Sequence, residues 1–273
     1  MAKRAIRSAT RVAGRLRAGR FALTEALALA MQQRRAVTRG ALTLWFATPN
    51  PLCELRARTF SSKEPETLEW IDTLPDGAAL WDVGANVGLF TVYAAARGCR
   101  VWAFEPSVFN LELLARNVEA NQLTDRVCLV PLALSDSLAA SRMRLTSTEW
   151  GGARSTFGRD IGWDGQPMET AFEYQTVGLS MDDAVARLGL PAPDYIKMDV
   201  DGLEHFILHG GPRVLSTVRG VLIEVNDAFE EQASACRQLL AAAGLTLEAK
   251  RQSDLMANSD GYQATFNQIW RRA

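Results

Sequence analysis

"ALWDVGANVGLFTVYAAARGCRVWAFEPS", residues 79–107, carries the reading of the fold. An apolar run reaches Asp82 and breaks into the turn Gly84-Ala85-Asn86-Val87-Gly88; a helical stretch follows, and a second apolar run ends in Glu105-Pro106. Strand, glycine turn, helix and strand make a βαβ crossover, which places two parallel strands in one sheet. The glycines permit positive φ and a close approach to the backbone.

The same alternation extends outward on both sides. The spacing predicts a helix over 64–74 with Pro65 in its first turn, then strand 79–83, helix 88–97, strand 100–104, helix 107–120 and strand 126–133. Past Asp136 the rhythm changes. Residues 138–178 read as two strands flanking a loop that contains Gly, Trp and Arg, and long loops in compact domains are commonly functional. Ser180 then caps a helix over 181–188, with Asp183 as its capping-box partner. Strand 194–200, a helix from Gly202 to His209, strand 220–226, a helix near 229–243 closed by Gly244, and a last hairpin of "LTLEAKR" and "ATFNQIWRR" complete the chain. The fold class is α/β, Rossmann-like, with a mostly parallel sheet and helices on both faces.

With 273 residues, 48% of them apolar, the chain has material for one large α/β domain or about two average ones. A basic helical extension over 1–55 and a domain over 56–273 are the expected divisions. Residues 1–39 hold ten Lys or Arg against the single Glu25, so the remainder carries about −10 although the whole sums to −1. An acidic body disfavours nucleic acid as a partner. The basic head, with Arg7, Arg11, Arg15 and Arg34 set among alanines and leucines, either rests on an anionic membrane surface or a partner, or is a solvated helix. No run reaches the roughly 18 apolar residues of a membrane span. "FALTEALALAM" is interrupted by Glu25, and no clean small-residue cleavage site follows it. Cys53, Cys99, Cys128 and Cys236 lack metal-like spacing and suit free thiols in a reducing cytosol.

The turn after the first strand is built for a nucleoside. In such sheets ligands bind at the carboxyl ends of the strands, and Glu105, 21 residues beyond Gly84, is placed to accept hydrogen bonds from ribose hydroxyls. A pyrophosphate cofactor needs a second glycine where Asn86 stands. Asp82 repels phosphate and favours a sulfonium and an amino group. S-adenosylmethionine carries both cations and no phosphate. The alternative is a βα turn without a ligand.

"WDVGANVGLFTVYAA", "AFEPS", "NVEANQL", "LALSD", "IKMDVDGLE" and "VLIEVN", in that order, resemble the FkbM family of S-adenosylmethionine-dependent methyltransferases, over residues 62–227. The resemblance implies a class I sheet of seven strands, the last antiparallel, and methyl transfer to a hydroxyl. It further implies that Asp82, Gly84, Ala85, Asn86 and Gly88 face the methionine part, Glu105 and Pro106 the ribose, and Ser135 and Asp136 the adenine edge. One position departs: Asp201 stands where the family commonly has Glu, one methylene longer.

Methyl transfer needs alignment and a group to take a proton. The period of two puts Lys197, Asp199 and Asp201 on one side of their strand, with Glu204 on the next helix and Glu224 and Asn226 ending the neighbouring strand. Either Asp199 or Glu224 acts as base with Lys197 tuning it, or Asp199, Glu224 and Asn226 hold a Mg²⁺-like ion. A scaffold in which Lys197 merely neutralises Asp199 is the third reading. His209 fits a helix C-terminus, as does His205 unless it faces the acceptor. Trp150, Arg154, Arg159 and Trp163 are the acceptor-binding candidates, for stacking on a sugar or gripping an anion. The expected activity is O-methylation of a sugar, glycan precursor or secondary metabolite in the cytoplasm. N- or carboxyl-methylation and a silent S-adenosylmethionine-binding module are the alternatives.

Overall fold

The computed structural model describes residues 2–259 and 261–272. Helices α1 (Ala2–Ala13) and α2 (Arg17–Gln32) lead into a hairpin of β1 (Arg34–Arg39) and β2 (Leu42–Ala47), then α3 (Pro51–Arg58), α4 (Phe60–Lys63) and α5 (Pro65–Asp72). The first βαβ unit follows as β3 (Ala79–Val83), α6 (Leu89–Ala96) and β4 (Arg100–Phe104), continued by α7 (Val108–Ala120) and β5 (Val127–Val130). Strands β6 (Ala133–Leu134), β7 (Ala139–Leu145), β8 (Ser155–Phe157) and β9 (Phe172–Leu179) form a second sheet. After α8 (Met181–Leu188) come β10 (Tyr195–Met198), α9 (Glu204–His209), α10 (Pro212–Thr217), β11 (Gly220–Asn226) and α11 (Glu230–Ala242). The last elements are β12 (Leu245–Arg251), α12 (Asp254–Ala257) and β13 (Thr265–Arg272).

The main sheet has seven strands in the order β5-β4-β3-β10-β11-β13-β12. Its first five neighbours run parallel, and β13 enters antiparallel between β11 and β12. This is the expected seven-stranded arrangement with an antiparallel last strand. All five residues of β3 are buried, as an interior parallel strand requires. Its side chains alternate: Leu80 joins one core with Trp70, Ile71, Val92 and Leu114, whereas Trp81 and Val83 join another with Ile196, Val221 and Leu240. Helices therefore cover both faces. Because the chain leaves β3 for β4 on one side and meets β10 on the other, a crevice opens at the carboxyl ends of β3 and β10.

Two expectations change. The first 55 residues are not helical throughout, because residues 34–47 pair as a hairpin. β2 reads Leu-Thr-Leu-Trp-Phe-Ala, a β-rich alternation that buries Leu44 and Phe46 in the domain core. Asn117 fixes it by accepting the Ala47 N–H at 2.7 Å. Within 138–178 the two expected strands pair antiparallel as β7 and β9, with the short β8 added. Ser180 caps α8 as expected, accepting the Asp183 N–H at 3.0 Å; the Asp183 carboxylate reaches the Ser180 hydroxyl and Arg187 instead of the cap N–H. All four cysteines are free thiols, Cys128 exposed and the others buried. No described helix is long and apolar enough to cross a membrane.

Candidate active site

Two cavities meet at the mouth of the crevice. The smaller, about 60 Å³, lies over β4 and under the second sheet, between Glu105, Pro106, Leu132, Leu134, Met143 and Phe157. The larger, about 320 Å³, is walled by α3 and α4, the 84–90 turn, the ends of β10 and β11, and the segment around α12. Gly84, Asn86, Ala153, Asp199 and Asp201 line both. A molecule in one cavity and a molecule in the other would touch there.

The turn that opens the site is closed on itself. Gly84 and Ala85 both donate their N–H to Phe104 O at 3.0 Å, and Gly88 donates to Ala85 O at 2.8 Å. Asn86 donates its N–H to Glu105 Oε2 at 2.7 Å, and Val87 to Asn86 Oδ1 at 2.9 Å. No amide between 84 and 88 remains to cradle a pyrophosphate. The glycines are also explained differently from the sequence reading. Gly84 (φ +80°) and Gly88 (φ +83°) do need the left-handed region, but the atoms approaching them belong to the protein. A Cβ on Gly84 would sit 1.9 Å from Asp199 O, and one on Gly88 2.2 Å from Leu114 Cδ1.

Glu105 is buried at the inner end of the smaller cavity. Its Oε1 accepts the Ser107 N–H at 2.8 Å, so with Asn86 on Oε2 each oxygen keeps a lone pair for another donor. Burial pushes its pKa up to about 7, with the two N–H bonds pulling the other way. A nucleoside with vicinal hydroxyls and positive charge fits this carboxyl.

At the junction, Lys197 is buried with its Nζ 3.5 Å from Asp82 Oδ1 and 3.5 Å from Asp199 Oδ2. Burial works against its ammonium, yet Asp199 and Asp82 outweigh that and raise its pKa. Lys63 bonds Glu64 Oε1 at 2.6 Å and is raised, chiefly by Glu64 and further by Asp199 and Glu224. Asp199 is opposed by burial but held ionised, below the usual carboxylate range, by Lys197 and Lys63. Glu224 moves the other way: burial and the charges of Asp199 and Glu64 push it well up. Asp201, at φ +57°, accepts the Arg154 N–H at 2.6 Å; burial and Asp199 raise it to about 6. Asp tolerates that left-handed backbone better than most residues, which gives the departure from Glu a local reason.

A family model described as the methyltransferase FkbM domain matches residues 82–247. The chain belongs to the FkbM methyltransferase family. Among its relatives, 31-O-demethyl-FK506 methyltransferase FkbM of Streptomyces tacrolimicus is 29% identical over 70% of this chain and 80% of that protein. Hexuronic acid methyltransferase AglP of Haloferax volcanii is 26% identical over 62% of this chain and 64% of its own length. The solved structure of precorrin-6y C5,15-methyltransferase from Geobacter metallireducens is matched at a TM-score of 0.43 and 15% identity, covering 84% of this chain and 94% of that one. This FkbM-family chain is an enzyme, a methyltransferase that depends on S-adenosylmethionine.

The residues expected from sequence divide accordingly. Gly84, Asn86, Glu105 and Pro106 line the smaller cavity, and Ala85, Lys197, Asp199, Asp201 and Glu224 the larger one. Asp82 lies beneath the floor, bonded by Thr91 and near Lys197. Gly88 caps α6. Ser135 and Asp136 sit just past the lining residues Leu132–Leu134, because Asp136 is drawn to Arg159 at 2.5 Å. Glu204 lies outside both cavities: it accepts the N–H groups of Val200 (2.9 Å) and Gly202 (3.0 Å) and so pins the turn that carries Asp199 and Asp201. Asn226 does not join Asp199 and Glu224, since its side chain serves Trp163 O and the Ala228 N–H. The donor set does not fit the Mg²⁺-like ion: Lys197 already pairs Asp199, the raised Glu224 favours its protonated form, and no metal-holding group of three His, Cys, Asp or Glu occurs among the described residues.

The acceptor-binding candidates stand a layer back. Trp150 O is held by Asn50 and Cys53, and Arg159 lies 4.2 Å from the Phe206 ring centre. Arg154 stacks over Trp163 (4.9 Å) and Tyr262 (5.3 Å), and of these three only Tyr262 reaches the cavity. His205 is buried between Phe206 and Phe229, away from both cavities, with neither nitrogen bonded and its pKa lowered by burial. His209 ends α9 as expected. Sequence reasoning missed Arg56, Lys63, Glu64 and Tyr262, which line the larger cavity. It also missed Asn110, which with Asn86 holds Gly152 O at 2.9 and 2.8 Å.

Proposed function

We propose that the enzyme methylates a hydroxyl oxygen of a sugar, glycan precursor or other small secondary metabolite, in the cytoplasm. When bound, S-adenosylmethionine supplies a methyl group on a positively charged sulfur. Glu105 would bind the ribose hydroxyls, and Pro106, Leu134 and Phe157 would enclose the base. The larger cavity, about 320 Å³, has room for one ring or a short chain beside the amino-acid end of the cofactor.

The observation that carries the reading is Asp199: a carboxylate kept ionised by Lys197 and Lys63 at the point where the two cavities join. Its Oδ atoms would accept the acceptor's O–H and orient the oxygen. As that oxygen bonds to carbon its proton becomes strongly acidic, so even a weakly basic carboxylate can take it. Glu224, its affinity for protons raised, stands next in line to share that proton. A carboxyl acceptor would need no base, so the ionised Asp199 at the junction favours a hydroxyl. The relative named for a 31-O position supports oxygen as the target, and the one named for a hexuronic acid supports a sugar-like acceptor. Incubation with labelled S-adenosylmethionine and a panel of sugars, glycosides, carboxylic acids and amines, with products read by mass spectrometry, tests it. Transfer confined to amines or carboxylates would overturn it.

A further inference from the structure

Helices α1 and α2 leave an apolar surface uncovered. At 100° per residue, α1 sets Arg4, Arg7 and Arg11 on one side and Ala5, Ile6, Ala9 and Val12 on the other. Ile6 and Val12 are each 64% exposed, Leu16 67% and Phe21 68%, and α2 has no buried residue. Large apolar side chains in water on two successive helices mark a docking surface. Its flanks are cationic: six arginines lie between Arg4 and Arg20, and the first acidic residue is Glu25.

That pairing of surfaces selects the occupant. A second copy laid apolar side against apolar side would cover Ile6 and Val12 but leave Arg4, Arg7 and Arg11 without an anionic partner. A nucleic acid would satisfy the arginines and leave Ile6, Val12 and Phe21 in water. The interface of an anionic bilayer meets both demands, with phosphate headgroups around the guanidiniums and the acyl boundary beneath the apolar side.

The placement bears on the site. Met31, near the end of α2, packs against the buried cluster of Ala47, Cys53, Val87 and Leu113. Cys53 belongs to α3, whose Leu52 and Leu55 line the acceptor cavity. Leu55 and Leu255 on that cavity's rim are themselves 44% and 41% exposed. The docking helices are thus attached beside the entrance through which an acceptor arrives.

We propose that α1 and α2 hold the protein on an anionic membrane surface. The test is co-sedimentation of the full chain with phosphatidylcholine vesicles and with vesicles containing about 30% phosphatidylglycerol, at about 0.05 M and about 0.5 M salt. Binding is expected to the anionic vesicles, weakened by salt. Arg7→Ala with Arg11→Ala should weaken it roughly 30-fold, at about fivefold per arginine. Ile6→Ser with Val12→Ser should weaken it at least about tenfold. Unchanged melting temperature and S-adenosylmethionine affinity establish that each variant is folded. No vesicle binding, equal binding to both lipids, or wild-type binding by either double variant would overturn the proposal. So would a concentration-dependent dimer that Ile6→Ser with Val12→Ser abolishes in the absence of vesicle binding.

Discussion

Burial and neighbouring charge move two carboxyls of the crevice in opposite directions, Glu105 upward and Asp199 downward. Glu105 rises to about 7 because it is buried, whereas a cationic nucleoside and its hydroxyl donors favour the carboxylate. The direction follows: ligand binding releases a proton below about pH 7, so affinity for S-adenosylmethionine should rise from pH 6 to 8 and level off above. Calorimetry across that range checks it, and Glu105→Gln should be both weaker and flat with pH. Asp199→Asn should lower turnover by about 10² to 10⁴ while S-adenosylmethionine affinity changes only severalfold. At this scale the sequence was legible wherever a charge ended a strand, because a carboxylate at the end of a buried strand has few structural reasons to be there. Glu64 and Lys63 were not legible. They stand in "SSKEPE", charged residues beside a helix start, and nothing local marks Glu64 as buried or Lys63 as facing the crevice; only the packing of α4 brings them to Asp199.

Elements hold those side chains in register, and the tip of the 138–178 segment shows how. Asn50, Cys53, Arg56, Asn86 and Asn110 together bind the carbonyls of Trp150, Gly151 and Gly152, and Gly151 returns an N–H to Asn110 Oδ1 at 2.9 Å. Asn110→Ala would leave that buried N–H unpaired, at a cost of about 1–3 kcal/mol. Urea unfolding should show the loss, and the looser tip should raise KM more than it lowers kcat. Gly84→Ala should be worse, because the new methyl must displace the backbone of Asp199 at a positive φ; a loss of at least about 3 kcal/mol and of nearly all activity is expected. Strand and helix boundaries were readable from periodicity to within a few residues. The hairpin at 34–47 was not, since its arginines resembled a continuation of the basic helices and its apolar residues declare themselves only against Asn117 and the core.

At the level of the whole molecule, the boundary between attachment and domain falls near residue 33. Arg39 reaches Asp72 and the Tyr93 hydroxyl at 2.9 Å each, and Tyr93 in turn bonds Asp72, so the hairpin is bolted to α5 and α6. Removing residues 1–33 should leave the melting temperature nearly unchanged. Removing residues 1–47 should expose the first core and abolish cooperative unfolding in calorimetry, and Phe46→Ala alone should cost about 3–5 kcal/mol.

The turn at 84–88 also bears on ancestry. A descendant of this chain that came to use a dinucleotide would have to release five amide N–H groups from their acceptors and rebuild Glu105's neighbourhood before its first useful intermediate. Swapping Asn86 for glycine by itself frees one amide, that of Val87, and opens no anion nest. Change is less costly on the opposite wall, at Leu55, Thr59 and Leu255, which line the larger cavity and carry none of the site's charges.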